Sequence, residues 1–374
     1  MQVSIKRDHR KKKSFIFIYA VFIAVIVLIN VLARTSTAFC DFYIKYITPL
    51  WTNIFARITS LFPFSIGEFF IALICISPFV AMFFLIYSAI KKRNFRERVL
   101  KVGKIYALLF AYLLLTSTLG AAILYHCSSL FEKMDLPQKT YTEQQLSAMY
   151  SDYVDKANEL APKVTRDKDG FFVLSEKDRE DCAKAVNGLS DEISELKGYI
   201  PKAKPILFSD VMGIMSVSGI FFPFTYEANY NNNMDAVSKP ATICHELAHA
   251  KGFLLEDEAN FIGFYACINS DNVNLQYAGY VDIIEEIYVP SYVDDIDGWS
   301  ELLKKDVARD FEYWNKIDEK FASDTPLSVE TIKSIDEISS KVTDSSLKLN
   351  AVDDGIKSYG RVIDLALAKY YKDK

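Results

Sequence analysis

Three long apolar runs in the first third of the chain constrain its fold more than any other feature. They contain no charged residue and cover 19, 22 and 21 residues, at Phe15–Ala33, Phe69–Ile90 and Ile105–Tyr125. A helix of about 20 apolar residues crosses the roughly 30 Å hydrocarbon core of a bilayer. The sequence therefore predicts three membrane-spanning helices. We interpret the first as a retained span, because its apolar part exceeds that of a signal peptide and no small-residue cleavage site follows it.

Basic residues around these runs predict their orientation. Six precede the first run, seven lie between the second and third, and three lie between the first and second. Because Lys and Arg favour the cytoplasmic side, we expect the N-terminus and the second loop in the cytoplasm. Three crossings would leave residues 127–374 outside the cytoplasm, as the C-terminal domain of a multi-pass cell-membrane protein.

The segment between the first two runs has a helical pattern. Apolar residues recur at helical spacing over residues 38–61, with polar and charged residues between them. This pattern predicts an amphipathic helix lying on the membrane surface, and a helix packed against the following domain fits the same spacing. Residues 1–126 are accordingly predicted to form a membrane domain whose partner is the lipid bilayer.

Charge is divided unevenly along the chain. Residues 1–126 hold 16 Lys and Arg against four Asp and Glu, whereas the whole chain holds 43 against 48. The remainder is therefore strongly acidic, which argues against nucleic acid as a partner. The six cysteines have no C-x-x-C spacing, and a disulfide and buried free thiols both fit Cys182, Cys244 and Cys267.

Residues 127–374 show mostly helical patterns. Thr142 and Gln145 have the spacing of a capping box at a helix start. The segment Gly219–Asn229 is aromatic and extended, and Pro223 would confine it to an edge strand. A buried hydrophobic loop is the alternative for this segment.

The chemistry is carried by His245-Glu246-x-x-His249. On a helix, residues four apart share a face, so the two imidazoles can hold one ion. Glu246 lies one position round and can reach a water on that ion, as in the H-E-x-x-H arrangement of zinc hydrolases. Gly252 can end the helix with a left-handed cap. The pattern predicts a Zn²⁺ site with Glu246 as the catalytic residue; an ordinary amphipathic helix with two histidines is the alternative.

A catalytic zinc needs a third protein ligand, and Glu256, Asp257 and Glu258 follow the glycine. Glu256 is favoured because Asn260 lies one helical turn further on the same face, where an amide can support a ligand. Glu258 is the alternative ligand, and a set of solvated first-turn acids is the third interpretation.

The stretch Glu256-x-x-Ala259-Asn260-Phe261 resembles the E-x-x-A-[ND] element of gluzincin metalloproteases. These include membrane-embedded CAAX-type proteases and metalloproteases of phage and mobile-element immunity systems. The resemblance implies that Glu256 is the zinc ligand. The spacing departs from the gluzincin pattern, because Glu256 follows His249 by only seven positions. The turn through Gly252 instead resembles that of metzincins, whose ligand would fall at Leu255.

The whole chain is similar to an uncharacterised bacterial membrane family that is catalogued only as a domain of unknown function. The similarity rests on the three apolar runs, the zinc-motif stretch, and the segments Pro63-Phe-Ser-x-Gly-Glu68, Gly219-x-Phe-Phe-Pro-Phe-Thr-x-Glu-Ala-Asn229 and Gly355-x-x-Ser-Tyr-Gly-Arg361. It implies no substrate.

These features predict a mainly α protein, in which three transmembrane helices precede a mostly helical, zincin-like metallopeptidase domain with a small β edge. The expected activity is hydrolysis of a peptide or protein substrate by a zinc-activated water, with Glu246 as general base. Tyr359 or Arg361 could fold back to stabilise the oxyanion; a packed helix start with a surface Arg is the alternative. The competing function is a non-catalytic, zinc-stabilised envelope sensor or scaffold, although a purely structural zinc site needs no base.

Overall fold

The computed structural model describes residues 2–91, 94–288, 300–312, 325, 327–353, 355 and 361–374, with residues 2–13 described by backbone only. Within these ranges, three helices are long and apolar enough to cross a membrane, which fits a membrane protein: Ser14–Thr35, Ile66–Ile90 and Phe95–His126. All three predicted spans are therefore confirmed as helices. The first belongs to α1, which covers Gln2–Thr35.

The predicted amphipathic helix is present over residues 37–59. It consists of three α segments joined by π turns at Tyr43–Ile47 and Thr52–Ala56, namely α2, Thr37–Phe42; α3, Thr48–Trp51; and α4, Arg57–Thr59. One face of this bent helix is buried against the end of the third span and against Leu254. An apolar stripe on it remains exposed, comprising Phe42, Tyr46, Leu50, Ile54 and Ile58. The packing of this helix against the following domain is therefore confirmed for one face, and its position on a membrane surface stays a prediction that the exposed stripe fits.

The second and third spans follow as α5, Ile66–Ile90, and α6, Phe95–Ser117. A π turn and a 3₁₀ turn extend α6 to His126. The remaining described part is mainly helical, as predicted, with the following elements: α7, Leu130–Lys133; α8, Glu143–Leu160; α9, Glu176–Gly188; β1, Lys204–Pro205; α10, Ser209–Ile214; β2, Gly219–Phe222; β3, Glu227–Tyr230; α11, Lys239–Ala250; α12, Glu256–Ile268; α13, Val273–Tyr288; α14, described over 305–312; α15, Val329–Leu349; and α16, Val362–Asp373.

The core of this domain surrounds α11. Helices α9, α12 and α13 and the β hairpin pack on α11, and α16 packs on α8, α12 and α13. Large side chains such as Tyr150, Phe261 and Tyr277 are fully buried in this cluster. The capping box of Thr142 and Gln145 starts α8 as predicted. The central position of α11 means that the H-E-x-x-H residues are held from several sides.

The strands form a three-stranded sheet in the order β1-β3-β2. β1 is parallel to β3, and β2 is antiparallel to it, with Gly219 opposite Tyr230 and Phe222 opposite Glu227. The expectation of a single extended segment from Gly219 to Asn229 is thus wrong, because the chain reverses between β2 and β3. Pro223 lies in that reversal, where its missing N–H costs no ladder hydrogen bond. The prediction of an edge position is correct for β2.

The hairpin is fastened to the start of α5. The carboxylate of Glu227 accepts the backbone N–H groups of Ile66 at 3.0 Å and Gly67 at 2.7 Å. It also pairs with the ammonium of Lys204 at 2.5 Å, in a buried environment. The first N–H groups of a helix have no partner within the helix, so a carboxylate that accepts from them satisfies these donors and complements the helix dipole.

The six cysteines are free thiols. Cys182, Cys244 and Cys267 are buried together, and the Sγ atoms of Cys244 and Cys267 lie 3.8 Å apart. Of the two alternatives for these cysteines, the structure has the buried thiols, which behave as small apolar side chains.

Candidate metal centre

Helix α11 presents the motif toward a groove. Pro240 lies in its first turn, where a residue without an N–H is tolerated. The buried side chains of Ile243, Cys244 and Leu247 anchor its opposite face in the core. The helical spacing then leaves His245, Glu246 and His249 on the groove side, as expected from the sequence.

The turn after α11 orients His249. Gly252 has φ +103° and donates its N–H to the His249 carbonyl at 2.9 Å, which is the predicted left-handed ending. The same turn brings the Phe253 carbonyl to 2.7 Å from His249 Nδ1. When Nδ1 carries the proton and donates it to this carbonyl, Nε2 is left as a free electron-pair donor.

Glu256, the first residue of α12, meets both histidines. Its Oε2 lies 3.2 Å from His245 Nε2 and 3.5 Å from His249 Nε2. Two ligands placed about 2.0–2.2 Å from a tetrahedral zinc are themselves separated by roughly 3.3–3.5 Å. The two separations between the carboxylate oxygen and the imidazole nitrogens therefore match those of ligands that share one ion, and these residues could hold a metal ion.

The pKa shifts of Glu256 and His249 agree with a cation shared between these side chains. Burial alone would raise the pKa of Glu256, but the attraction of His249 and hydrogen bonds from both imidazoles hold that pKa well below its usual range. Burial would likewise lower the pKa of His249, yet the charge of Glu256 raises it to about 9. The carboxylate thus holds positive charge at the imidazole nitrogens, as it would hold a metal ion.

Glu246 lies beside this cluster with a different environment. Ligand atoms of His245, Glu246 and His249 lie within 4.8 Å of one another and could hold a metal ion. Glu246 is only 3% exposed, and within the described part of the chain its Oε2 has no hydrogen-bond partner. Burial raises the pKa of Glu246 to about 7, with both histidines opposing the rise. A buried carboxylate that titrates near neutrality is suited to taking a proton.

The other two acids after the glycine turn face elsewhere. Glu258 Oε1 accepts the N–H of Leu130 at 2.5 Å, and burial raises its pKa to about 8. Asp257 Oδ2 accepts from Arg361 Nε at 2.9 Å. Of the three alternatives, Glu256 is thus the acid that contacts the histidines, and Arg361 is held by Asp257. Tyr359, the other predicted oxyanion contact, lies outside the described residues.

The metal centre opens into a groove of about 1210 Å³. Edge strand β2 lines the groove with Gly219, Ile220 and Phe221, and α15 lines it with residues such as Ile335 and Ser339. Asn260, expected on the face of Glu256, lines the same groove, together with three acids of α13, Asp282, Glu285 and Glu286. The groove is large enough for an extended peptide, and its wall beside the metal residues is a strand edge.

Comparison with known proteins identifies the domain. The family described as "Protein of unknown function (DUF3810)" matches residues 43–367, which is most of the chain. The chain belongs to this family. The predicted similarity to an uncharacterised family is therefore confirmed. No curated protein and no solved structure matches the chain.

The DUF3810 match includes every element of the candidate site. It runs from the π turn at Tyr43 through the third span, the hairpin and the motif into α16. The candidate ligand residues and the wall of the groove formed by the third span thus belong to one family domain, whereas α1 precedes the matched range.

Two contributors to the site were missed by the sequence reasoning. Gly219 allows β2 to approach Glu246, since a Cβ at this position would lie 2.3 Å from Glu246 Oε1. Tyr125 lines the groove from the end of the third span. Gly219 belongs to an aromatic extended pattern and Tyr125 to an apolar run. Neither pattern signals the tertiary contact, which joins Gly219 to a residue 27 positions away and Tyr125 to residues more than 90 positions away.

Proposed function

We propose that this member of the DUF3810 family is a membrane-anchored zinc metallopeptidase. The observation that supports it most is the placement of Glu246. Its buried Oε2 has no hydrogen-bond partner among the described residues, and its carboxylate lies beside His245, His249 and Glu256. His245, His249 and Glu256 would hold the ion, leaving an open position toward the groove. The proposed location is the cell membrane, with the catalytic domain outside the cytoplasm.

Each side chain has a distinct role in the proposed reaction. Bound zinc would supply Lewis acidity and lower the pKa of a coordinated water toward neutrality. Glu246 takes the proton of the attacking water and returns it to the leaving amine. His249 is kept in its binding orientation by the Phe253 carbonyl. Tyr125, with its side chain on the groove, is our candidate donor to the oxygen on which negative charge develops.

The groove beside β2 supports a polypeptide substrate. A strand edge can pair with an extended peptide through main-chain hydrogen bonds, largely independent of its sequence. Edge residues Gly219 and Phe221 line the same groove as Glu246. A purely structural zinc site, as in the alternative sensor or scaffold, would need neither a base nor an adjoining groove of this size.

The test compares Glu246→Gln with the parent protein in detergent micelles. We expect zinc bound at one equivalent in both proteins, and metal-dependent cleavage of unstructured peptides in the parent only, with a loss of about 10²–10⁴-fold in the variant. Glu337→Gln is the matched control, because Glu337 is an exposed glutamate on α15. Unchanged cleavage in Glu246→Gln, or no zinc in the parent protein, would overturn the proposal.

The third ligand is tested by a pair of variants. Glu256→Ala removes the oxygen that contacts both histidines, so we expect metal analysis to show loss of zinc. Glu258→Ala should keep zinc and lower the free energy of unfolding by about 1–3 kcal/mol, because a buried N–H of Leu130 loses its acceptor. The reverse pattern would assign the ligand to Glu258.

A further inference from the structure

We propose that the substrate is a polypeptide anchored in the same bilayer, cleaved in the extended segment immediately outside its membrane anchor. This inference rests on the proposed peptidase function and specifies its substrate class.

The third span itself forms part of the groove. Ala121 and Tyr125 line it, and both belong to the helix Phe95–His126 that is apolar and long enough to cross a membrane. Pro223 of the hairpin packs so closely on this helix that a Cβ at Gly120 would lie 2.8 Å from the Pro223 Cβ. The groove of the candidate metal centre is therefore in direct contact with the helix that contains the third span.

The tip of the hairpin reaches further down the same helices. Tyr112, more than three helical turns before His126, donates its hydroxyl to the Phe224 carbonyl at 2.8 Å. The ring of Phe224 also lies 5.2 Å from that of Phe70 in α5. Strand β2 thus leads from a turn that contacts the second and third spans to Glu246. An extended chain paired with β2 would run from the side of these spans toward the candidate metal centre.

A rim of exposed apolar side chains lies next to the second span, in and just before α10, whose Gly213 lines the groove. Leu207, Phe208 and Val211 are 63%, 56% and 50% exposed. The carboxylate of Glu68 in the first turn of α5 accepts the N–H groups of Leu207 at 3.1 Å and Phe208 at 2.7 Å. A contiguous apolar surface fixed to a helix mouth is suited to the lipid interface rather than to water. The rim would therefore lie in the bilayer surface.

This arrangement determines where a substrate is cut. Main-chain pairing along β2 depends little on the substrate's sequence. The distance from the membrane anchor therefore determines which peptide bond is cleaved. Tyr125, which lines the groove, lies 13 residues, or roughly 20 Å of helix, beyond Tyr112 at the level of the hairpin tip. At roughly 3.3 Å per extended residue, the cleaved bond lies within on the order of ten residues of the anchor.

The test uses the full chain in liposomes with peptide probes of one mixed, unstructured sequence. The first probe joins this sequence directly to a single transmembrane helix. The second inserts a rigid helical spacer of about 20 residues, which holds the sequence roughly 30 Å from the bilayer. We expect cleavage near the anchor in the first probe and at least a tenfold slower reaction in the second, although both are tethered equally. Equal rates, with sites spread along the sequence, would overturn the inference.

A binding measurement separates this inference from the peptidase proposal. In the Glu246→Gln background, a photo-crosslinking residue at Ile220 should capture the anchor-proximal segment of the first probe and not the spaced probe. The same crosslinker at the exposed Glu337 is the control. Selective capture without cleavage by the parent protein would refute the peptidase proposal and retain the membrane-anchored ligand. Metal-dependent cleavage of both probes at equal rates, without selective capture, would retain the peptidase proposal and refute the membrane-anchored substrate.

Discussion

At the scale of single residues, contact with β2 fixes the position of the Glu246 carboxylate. A Cβ at Gly219 would lie 2.3 Å from Oε1 and 2.8 Å from Cδ of Glu246. We therefore expect Gly219→Ala to bind zinc normally but to lose about 100-fold in kcat, since a displacement of about 1 Å is sufficient for such a loss. Peptide cleavage and metal analysis on the same preparation check this.

The control for Gly219→Ala is Gly188→Ala, because a Cβ at Gly188 would meet no atom within 4 Å in the described structure. It should leave kcat and the metal content unchanged. A Gly219→Ala protein with full activity would show that Glu246 has room to adjust and that β2 does not position it.

Metal uptake should compete with protonation of His249. Burial lowers the pKa of this histidine but the charge of Glu256 raises it to about 9, and zinc binds only the deprotonated ring. Below the raised pKa each unit of acidification should therefore weaken the apparent zinc affinity about tenfold, and the dependence should flatten above it. Competition with a chromogenic chelator at several pH values measures this; a flat affinity between about pH 6 and pH 8 would contradict it.

At the scale of elements, the buried pair of Lys204 and Glu227 joins the sheet to the start of α5. The two side chains are 4% and 1% exposed. Glu227→Gln leaves the Lys204 ammonium buried without its counter-charge, so we expect a loss of about 3–5 kcal/mol in the free energy of unfolding. Denaturant unfolding in detergent, followed by fluorescence, measures this.

A second variant separates charge burial from general damage to the hairpin. Lys204→Met combined with Glu227→Gln removes both charges, and much of the lost stability should return. If the double variant is no more stable than the single one, the damage has another cause than the unpaired lysine.

Elements governed by local rules were predictable from sequence. The three spans follow from their length and apolar content, and the α8 start follows from the capping box of Thr142 and Gln145. The amphipathic helix was predicted only in outline, because its two π turns rotate the apolar register. Ile54 and Ile58 lie at helical spacing from Tyr43 in the sequence, yet they are exposed while Tyr43 is buried.

The candidate site likewise contains residues that local sequence patterns predict and residues that they do not. His245, Glu246 and His249 are set by the period of one helix, and Glu256 follows from a short turn, so local reasoning was sufficient for them. The position of Tyr125 on the groove and the hydrogen bonds between Glu227 and the start of α5 depend on tertiary contacts between distant segments. A single sequence carries no periodic signal for such contacts.

At the scale of the whole molecule, the charge pattern predicts which side of the membrane carries the metal centre. The loops with six and seven basic residues belong in the cytoplasm. An epitope at the C-terminus should therefore be removed by protease added to intact cells with a permeabilised outer layer, whereas one at the N-terminus should require membrane lysis. Protection of the C-terminal epitope would place residues 127–374 in the cytoplasm and leave the metal chemistry unaffected.

The bent amphipathic helix also supports the end of α11. Thr52 donates its hydroxyl to the Ala250 carbonyl at 3.3 Å, and a Cβ at Gly252 would lie 2.9 Å from Ile44 Cγ1. The stripe that includes Leu50 and Ile54 remains free for acyl chains. In the proposed membrane orientation, lateral pressure in the leaflet would act through this helix on the turn that orients His249. Acyl-chain length and saturation would then change the metal affinity of the proposed site.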